Sequence, residues 1–163
     1  MSIVAIITAI VMLFTNNVIY EYMWHNADDE QRMQFPLECQ SYACGMDPTE
    51  FEFMARVIEM ESDRTENLDG KILIAAVIFN RVTSDEFPNT ITGVLTESGQ
   101  FSTVSGGWCN QSYTITSRWA IVEAQRQLAS GDIPENLLYF NCIGYFGGYE
   151  PYDYVGGNFF SLG

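Results

Sequence analysis

Residues 47–62 read Asp47-Pro48-Thr49-Glu50-Phe51-Glu52-Phe53-Met54-Ala55-Arg56-Val57-Ile58-Glu59-Met60-Glu61-Ser62, and their periodicity decides the fold class. Wound at about 100° per residue, Phe51, Met54, Val57 and Ile58 gather on one side, flanked by Phe53 and Ala55. Glu52, Arg56 and Glu59 fall on the opposite side, where water is expected. The helix has a marked start. Asp47 can cap it, Pro48 suits its first position, and Glu50 completes a capping-box spacing; such a cap contributes about 1 kcal/mol. One residue breaks the pattern. Glu61 lands in the middle of the apolar side, one turn beyond Val57 and Ile58. A carboxylate there loses hydration, which raises its pKa. A carboxyl group kept partly protonated near neutral pH can act as a general acid, as in glycoside cleavage. The competing reading is a half-buried glutamate paired with an arginine or a backbone amide.

Working outward, residues 69–82 predict a second helix, apolar nearly all round until Asn80, which suits the centre of a small bundle. Pro88 breaks the chain, and residues 89–95 suit one short helix. Residues 97–113 are rich in glycine and serine, include Trp108, and read as a loop with little regular structure. Ser117 is expected to cap an amphipathic helix running to Ser130, which Gly131 ends. Asn136 to Phe140 reads as extended, and the last twenty residues are rich in glycine and aromatics. The fold class is therefore mainly α (α+β), a small helical domain with a short β-element.

The 163 residues allow one compact domain plus an appendage. Seven basic residues against 21 acidic ones give a formal charge of −14, which argues against nucleic acid as a partner because its phosphates would be repelled. Residues 1–20 carry no charged side chain. As a helix they would reach about 30 Å, roughly one hydrocarbon core. They read as a signal-anchor or a cleavable signal peptide, an apolar N-terminal helix contacting the membrane. Residues 21–46 then read as a linker and 47–163 as the globular domain, exported to the outer side of the membrane. The four cysteines, Cys39, Cys44, Cys109 and Cys142, permit two disulfides in any of three pairings. None shows the paired spacing of a zinc site. His25 is the single histidine, so a His-based metal site and a Ser–His or Cys–His couple are not expected; no metal and no cofactor is expected. Carboxylate chemistry remains.

Several segments, taken in order, resemble the spore cortex-lytic, SleB-type family of bacterial cell-wall hydrolases. They are Ala55-Arg56-Val57-Ile58-Glu59-Met60-Glu61, Ala75-Ala76-Val77-Ile78-Phe79-Asn80-Arg81-Val82 and Phe87-Pro88-Asn89-Thr90-Ile91. Gly99-Gln100-Phe101-Ser102, Leu138-Tyr139-Phe140-Asn141 and Gly156-Gly157-Asn158-Phe159-Phe160 complete the series. Each is weak alone; six in order over about residues 50–161 are specific.

The resemblance implies a lysozyme-like, mostly helical domain acting on peptidoglycan glycan strands between N-acetylmuramic acid and N-acetylglucosamine. Glu61 corresponds to the family's acid/base, working as in lytic transglycosylases, without a second carboxylate; Asp63 is the nearest acidic residue on its C-terminal side. Gln100 is the next candidate, since an amide both donates to and accepts from sugar substituents. Phe101 and Tyr139 could stack on sugar rings, and Ser102, Asn80 and Asn141 could add hydrogen bonds. Their plainer readings are core for the two aromatics, a turn for Ser102 and a helix-end cap for Asn80. Trp108 and Tyr113 are candidates for the cleft lining.

Two departures stand out: Asn158 replaces a histidine common in the family, and Ser62 replaces an alanine. The family's peptidoglycan-binding repeat has no legible counterpart, so the apolar N-terminus is expected to supply tethering, as would suit a phage lysis or envelope protein. The alternative is a non-catalytic peptidoglycan binder or envelope scaffold, in which Asn158 marks lost activity.

Overall fold

The computed structural model describes residues 16–62, 66–107 and 111–163. Helices α1 (Asp29–Met33) and α2 (Leu37–Ala43) precede α3 (Pro48–Glu61) and α4 (Leu68–Thr83). Short helices α5 (Ile91–Thr96) and α6 (Ser102–Ser105) lead to α7 (Ile115–Ser130). Strands β1 (Leu137–Asn141), β2 (Glu150–Val155) and β3 (Asn158–Leu162) close the chain as an antiparallel sheet of order β1-β3-β2. The expected α+β class is observed.

Helix α4 is the axis because its sequence leaves no polar stripe until its end: Ile74, Ala75, Ala76, Val77 and Ile78 are all fully buried. Helix α3 lays Phe51, Met54, Val57 and Ile58 against it, α7 adds Ile121, and β1 and β3 add Leu137 and Phe160. Each such large side chain contributes about 1.5–3 kcal/mol on burial. Asp47 accepts from the Thr49 and Glu50 amides at the start of α3, as its spacing implied.

The β2–β3 connection fixes one wall of the site. Gly156 and Gly157 both have left-handed φ, +60° and +84°, as a two-residue hairpin between the paired Val155 and Asn158 demands. A Cβ on Gly70 would lie 3.1 Å from the Gly156 Cα. Bare glycines thus let the hairpin seat on the start of α4.

Several expectations need correction. Residues 21–46, read as a linker, contain α1 and α2, which dock on the domain. Cys39, Gln40 and Ser41 are buried, Trp24 lies 6.5 Å from Trp119, and Gln125 Nε2 donates to the Cys44 carbonyl at 3.0 Å. Helices of five and seven residues are too short to show periodicity. The loop over residues 97–113 contains α6. Helix α7 begins after Thr114 rather than at Ser117, because Ser117 turns inward to a buried acid. Cys39, Cys44 and Cys142 are free thiols, which leaves no room for two disulfides. The expected N-terminal apolar helix falls largely on residues 1–15, outside the described residues. Among those described, no helix is long and apolar enough to cross a membrane.

Candidate active site

Glu59 and Glu61 sit two positions apart at the end of α3, and their surroundings separate them. Glu59, which periodicity assigned to solvent, is only 4% exposed. Its carboxylate accepts from Lys71 Nζ at 3.0 Å, from the Thr114 amide at 3.0 Å, and from the hydroxyls of Thr114 and Ser117 at 2.6 Å each. Lys71 is itself fully buried. Burial alone would raise the Glu59 pKa. The bonds from Ser117, Thr114 and Lys71 outweigh it and hold the acid at about 2. Glu59 is therefore a permanent anion tying α3, α4 and the start of α7 together.

Glu61, the last residue of α3, is half-buried at the wall of a cleft of about 700 Å³. Burial raises its pKa above the ordinary carboxylate value. Hydrogen bonding from Thr103 and the charge of Arg81 pull the other way without cancelling the rise. Thr103 Oγ1 donates to Glu61 Oε1 at 2.6 Å. Asn158 Nδ2 donates to the Glu61 main-chain carbonyl at 3.2 Å, joining the helix end to β3. Two carboxyl groups with pKa values pushed apart are the pattern of a structural anion beside a working acid.

Arg81 supplies the buried positive charge behind Glu61. Its Nε donates to the Leu138 carbonyl at 2.8 Å, and its guanidinium lies over the rings of Phe87 and Phe101, at 4.7 and 5.6 Å. Burial lowers its pKa to about 10, so it stays cationic at neutral pH.

Of the residues singled out in the sequence, Glu61, Gln100, Ser102 and Asn141 line the cleft, with Thr103, Phe140, Cys142 and Asn158. Gln100 and Ser102 are exposed there. Asn141 commits its Oδ1 to the Ile143 and Gly144 amides, at 2.7 and 2.9 Å. The remaining three sit elsewhere. Asn80 is buried, donating to the carbonyls of Pro134 and Leu137 at 2.9 and 3.0 Å, and so pins β1 to α4. Phe101 is 2% exposed within the core. Tyr139 donates to Glu86 and packs its ring against Tyr149, the centroids 4.4 Å apart. Tyr113 carries the Arg56 guanidinium 5.2 Å above its ring and does not line the cleft. Trp108 and Asp63 lie outside the described residues. Thr103 was missed: its one sequence signal is its place next to Gly-Gln-Phe-Ser, and a lone threonine says nothing of direction.

A family model described as Cell Wall Hydrolase matches residues 65–143, beginning just beyond Glu61. The chain is 35% identical over 96 residues to the spore cortex-lytic enzyme of Bacillus cereus, covering 59% of this chain and 36% of that protein. To the spore cortex-lytic enzyme of Bacillus subtilis it is 32% identical over 96 residues, covering 59% and 30%. The chain thus spans about a third of the length of the curated relatives it matches. Among solved structures, it is similar to the catalytic domain of the germination-specific lytic transglycosylase SleB from Bacillus anthracis. The TM-score is 0.60 at 30% identity, over 72% of this chain and 97% of that one. The SleB catalytic domain from Bacillus cereus gives a TM-score of 0.59 at 30% identity, over 71% and 91%.

Proposed function

The chain belongs to the SleB-type family of cell-wall hydrolases, and on that premise we propose that it cleaves peptidoglycan glycan strands, with Glu61 as the acid and then the base. The observation that carries the reading is the half-buried Glu61 carboxyl, its pKa raised, fixed by Thr103 in an open cleft. In its acid form Glu61 protonates the oxygen that links muramic acid C1 to the next glucosamine. The C1–O bond breaks and the glucosamine leaves with a free 4-hydroxyl. The Glu61 carboxylate then takes the proton of the muramic 6-hydroxyl, whose oxygen bonds to C1. The product is a 1,6-anhydro end, no water is consumed, and Glu61 returns protonated. This route needs no second carboxylate, unlike two-acid glycosidases.

Gln100 and Ser102, exposed along the cleft wall, bind the N-acetyl and hydroxyl groups flanking the scissile bond. Residues 47–163 form the catalytic unit, and the uncharged residues 1–20 hold it at the membrane on the wall side. The charge of −14 disfavours any nucleic-acid partner. A non-catalytic binder would suit a Glu61 locked to Arg56 or Arg81. Instead Arg56 bonds Glu52 and the Gln111 carbonyl, and Arg81 Nε bonds Leu138.

The reading is tested by adding the chain to a suspension of purified peptidoglycan. Wild type is expected to clear it and Glu61→Gln is not; equal clearing by both would remove Glu61 from the chemistry.

A further inference from the structure

On the side of the sheet away from the core lies a strip of aromatic rings that the cleavage chemistry does not use. Phe159 is the register partner of Asn141 on β1 and of Tyr154 on β2. Its ring lies 4.3 Å from Tyr154 and 5.1 Å from Tyr145. Tyr154 is 56% and Tyr145 42% exposed, and with Phe159 their rings form one cluster. Clustered exposed apolar surface is a candidate binding surface.

We propose that this strip is a second carbohydrate surface, on which the glycan strand leaving the cleft lays its hexosamine rings against Tyr154, Phe159 and Tyr145. The inference rests on the glycan reading above and extends it beyond the cleft. Continuity supports it. Asn141 lines the cleft and is the register partner of Phe159 across the sheet, so the two share a face. The strip and the cleft meet at that pair.

Chemistry supports it too. A pyranose offers a neutral C–H face to an aromatic ring and hydroxyls to a tyrosine tip, and tyrosine combines an apolar body with a polar end. A second copy of this chain docked on the same face would bring like charges together on a molecule already at −14.

The test measures binding in a Glu61→Gln background, where turnover does not interfere. Affinity for long, uncrosslinked glycan strands and for a tetrasaccharide of the same repeat is compared with and without Tyr145→Ser plus Tyr154→Ser. Far-ultraviolet circular dichroism checks the fold. The ratio of long-strand to tetrasaccharide affinity is expected to fall about tenfold, and Tyr154→Trp, which keeps a stacking face, is expected to preserve it. An unchanged ratio overturns the proposal, as does a change confined to self-association or to binding of lipid vesicles. If wild type cleaves peptidoglycan and the ratio is unchanged, the strip alone is wrong. If wild type cleaves nothing, the ratio still reports on the strip.

Discussion

Thr103 Oγ1 donates to Glu61 Oε1 across 2.6 Å, so α6 and the end of α3 are joined at the carboxyl group itself. A hydroxyl donating to one oxygen leaves the acid proton to the other, and it stops the carboxyl from rotating. The same bond lowers the Glu61 pKa against the rise caused by burial.

Thr103→Val removes that donor while keeping the side-chain shape. The Glu61 pKa then rises further, and the pH at which activity falls for want of the acid moves upward. Loss of orientation is expected to lower kcat about tenfold, a small part of what positioning can supply. A pH–rate profile of the variant beside wild type checks both; an unchanged profile would mean that the bond has no role.

Glu61→Gln should stabilise the protein while abolishing activity. The native pKa lies above the ordinary 4.5, so ionising Glu61 costs stability that is intact below pH 4.5 and lost as pH rises through the native value. Glutamine carries no such penalty. Thermal melts are expected to show a higher Tm than wild type at pH 7, with the gain vanishing below pH 4.5.

Glu59 has the opposite sign. Its native pKa of about 2 against an ordinary 4.5 means its contribution is present above pH 4.5 and disappears as pH falls toward 2. Lys71→Met strands the buried carboxylate and is expected to cost about 3–5 kcal/mol in urea unfolding. Adding Glu59→Gln should recover much of that loss. If the two losses simply add, the pair is not coupled.

These two acids show what the sequence could and could not reveal. Helical periodicity placed α3, α4 and the body of α7, because long apolar stripes at 3.6-residue spacing survive any tertiary context. It also put Glu61 on the inner face. The same rule put Glu59 outside, since a helical wheel cannot see Lys71 arriving from α4 or Thr114 and Ser117 from 55 and 58 residues further along. Asn80 and Phe101 carried polar or aromatic chemistry suited to a site, yet their directions are set by β1 and by the core. Helices α1, α2 and α6 are too short for periodicity to register. Thr103 needed the fold to bring it to Glu61.

Cys142 lines the cleft and is exposed. Burial raises the Cys39 thiol and pushes Cys44 up to about 12, which keeps both as poorly reactive thiols. In a Cys109→Ser background, N-ethylmaleimide is therefore expected to label Cys142 first and to block peptidoglycan cleavage by filling the cleft. Adding Cys142→Ser should restore activity in the presence of the reagent. Continued inhibition would place the reactive thiol elsewhere.

The cleavage products report most directly on the role of Glu61. Purified peptidoglycan digested with the chain, beside a Glu61→Gln control, is analysed by muropeptide mass spectrometry. Cleavage led by Glu61 with attack of the muramic 6-hydroxyl gives 1,6-anhydro ends in the first sample and none in the control. Reducing ends in their place would mean that water is the nucleophile, and anhydro ends from both proteins would contradict the role given to Glu61.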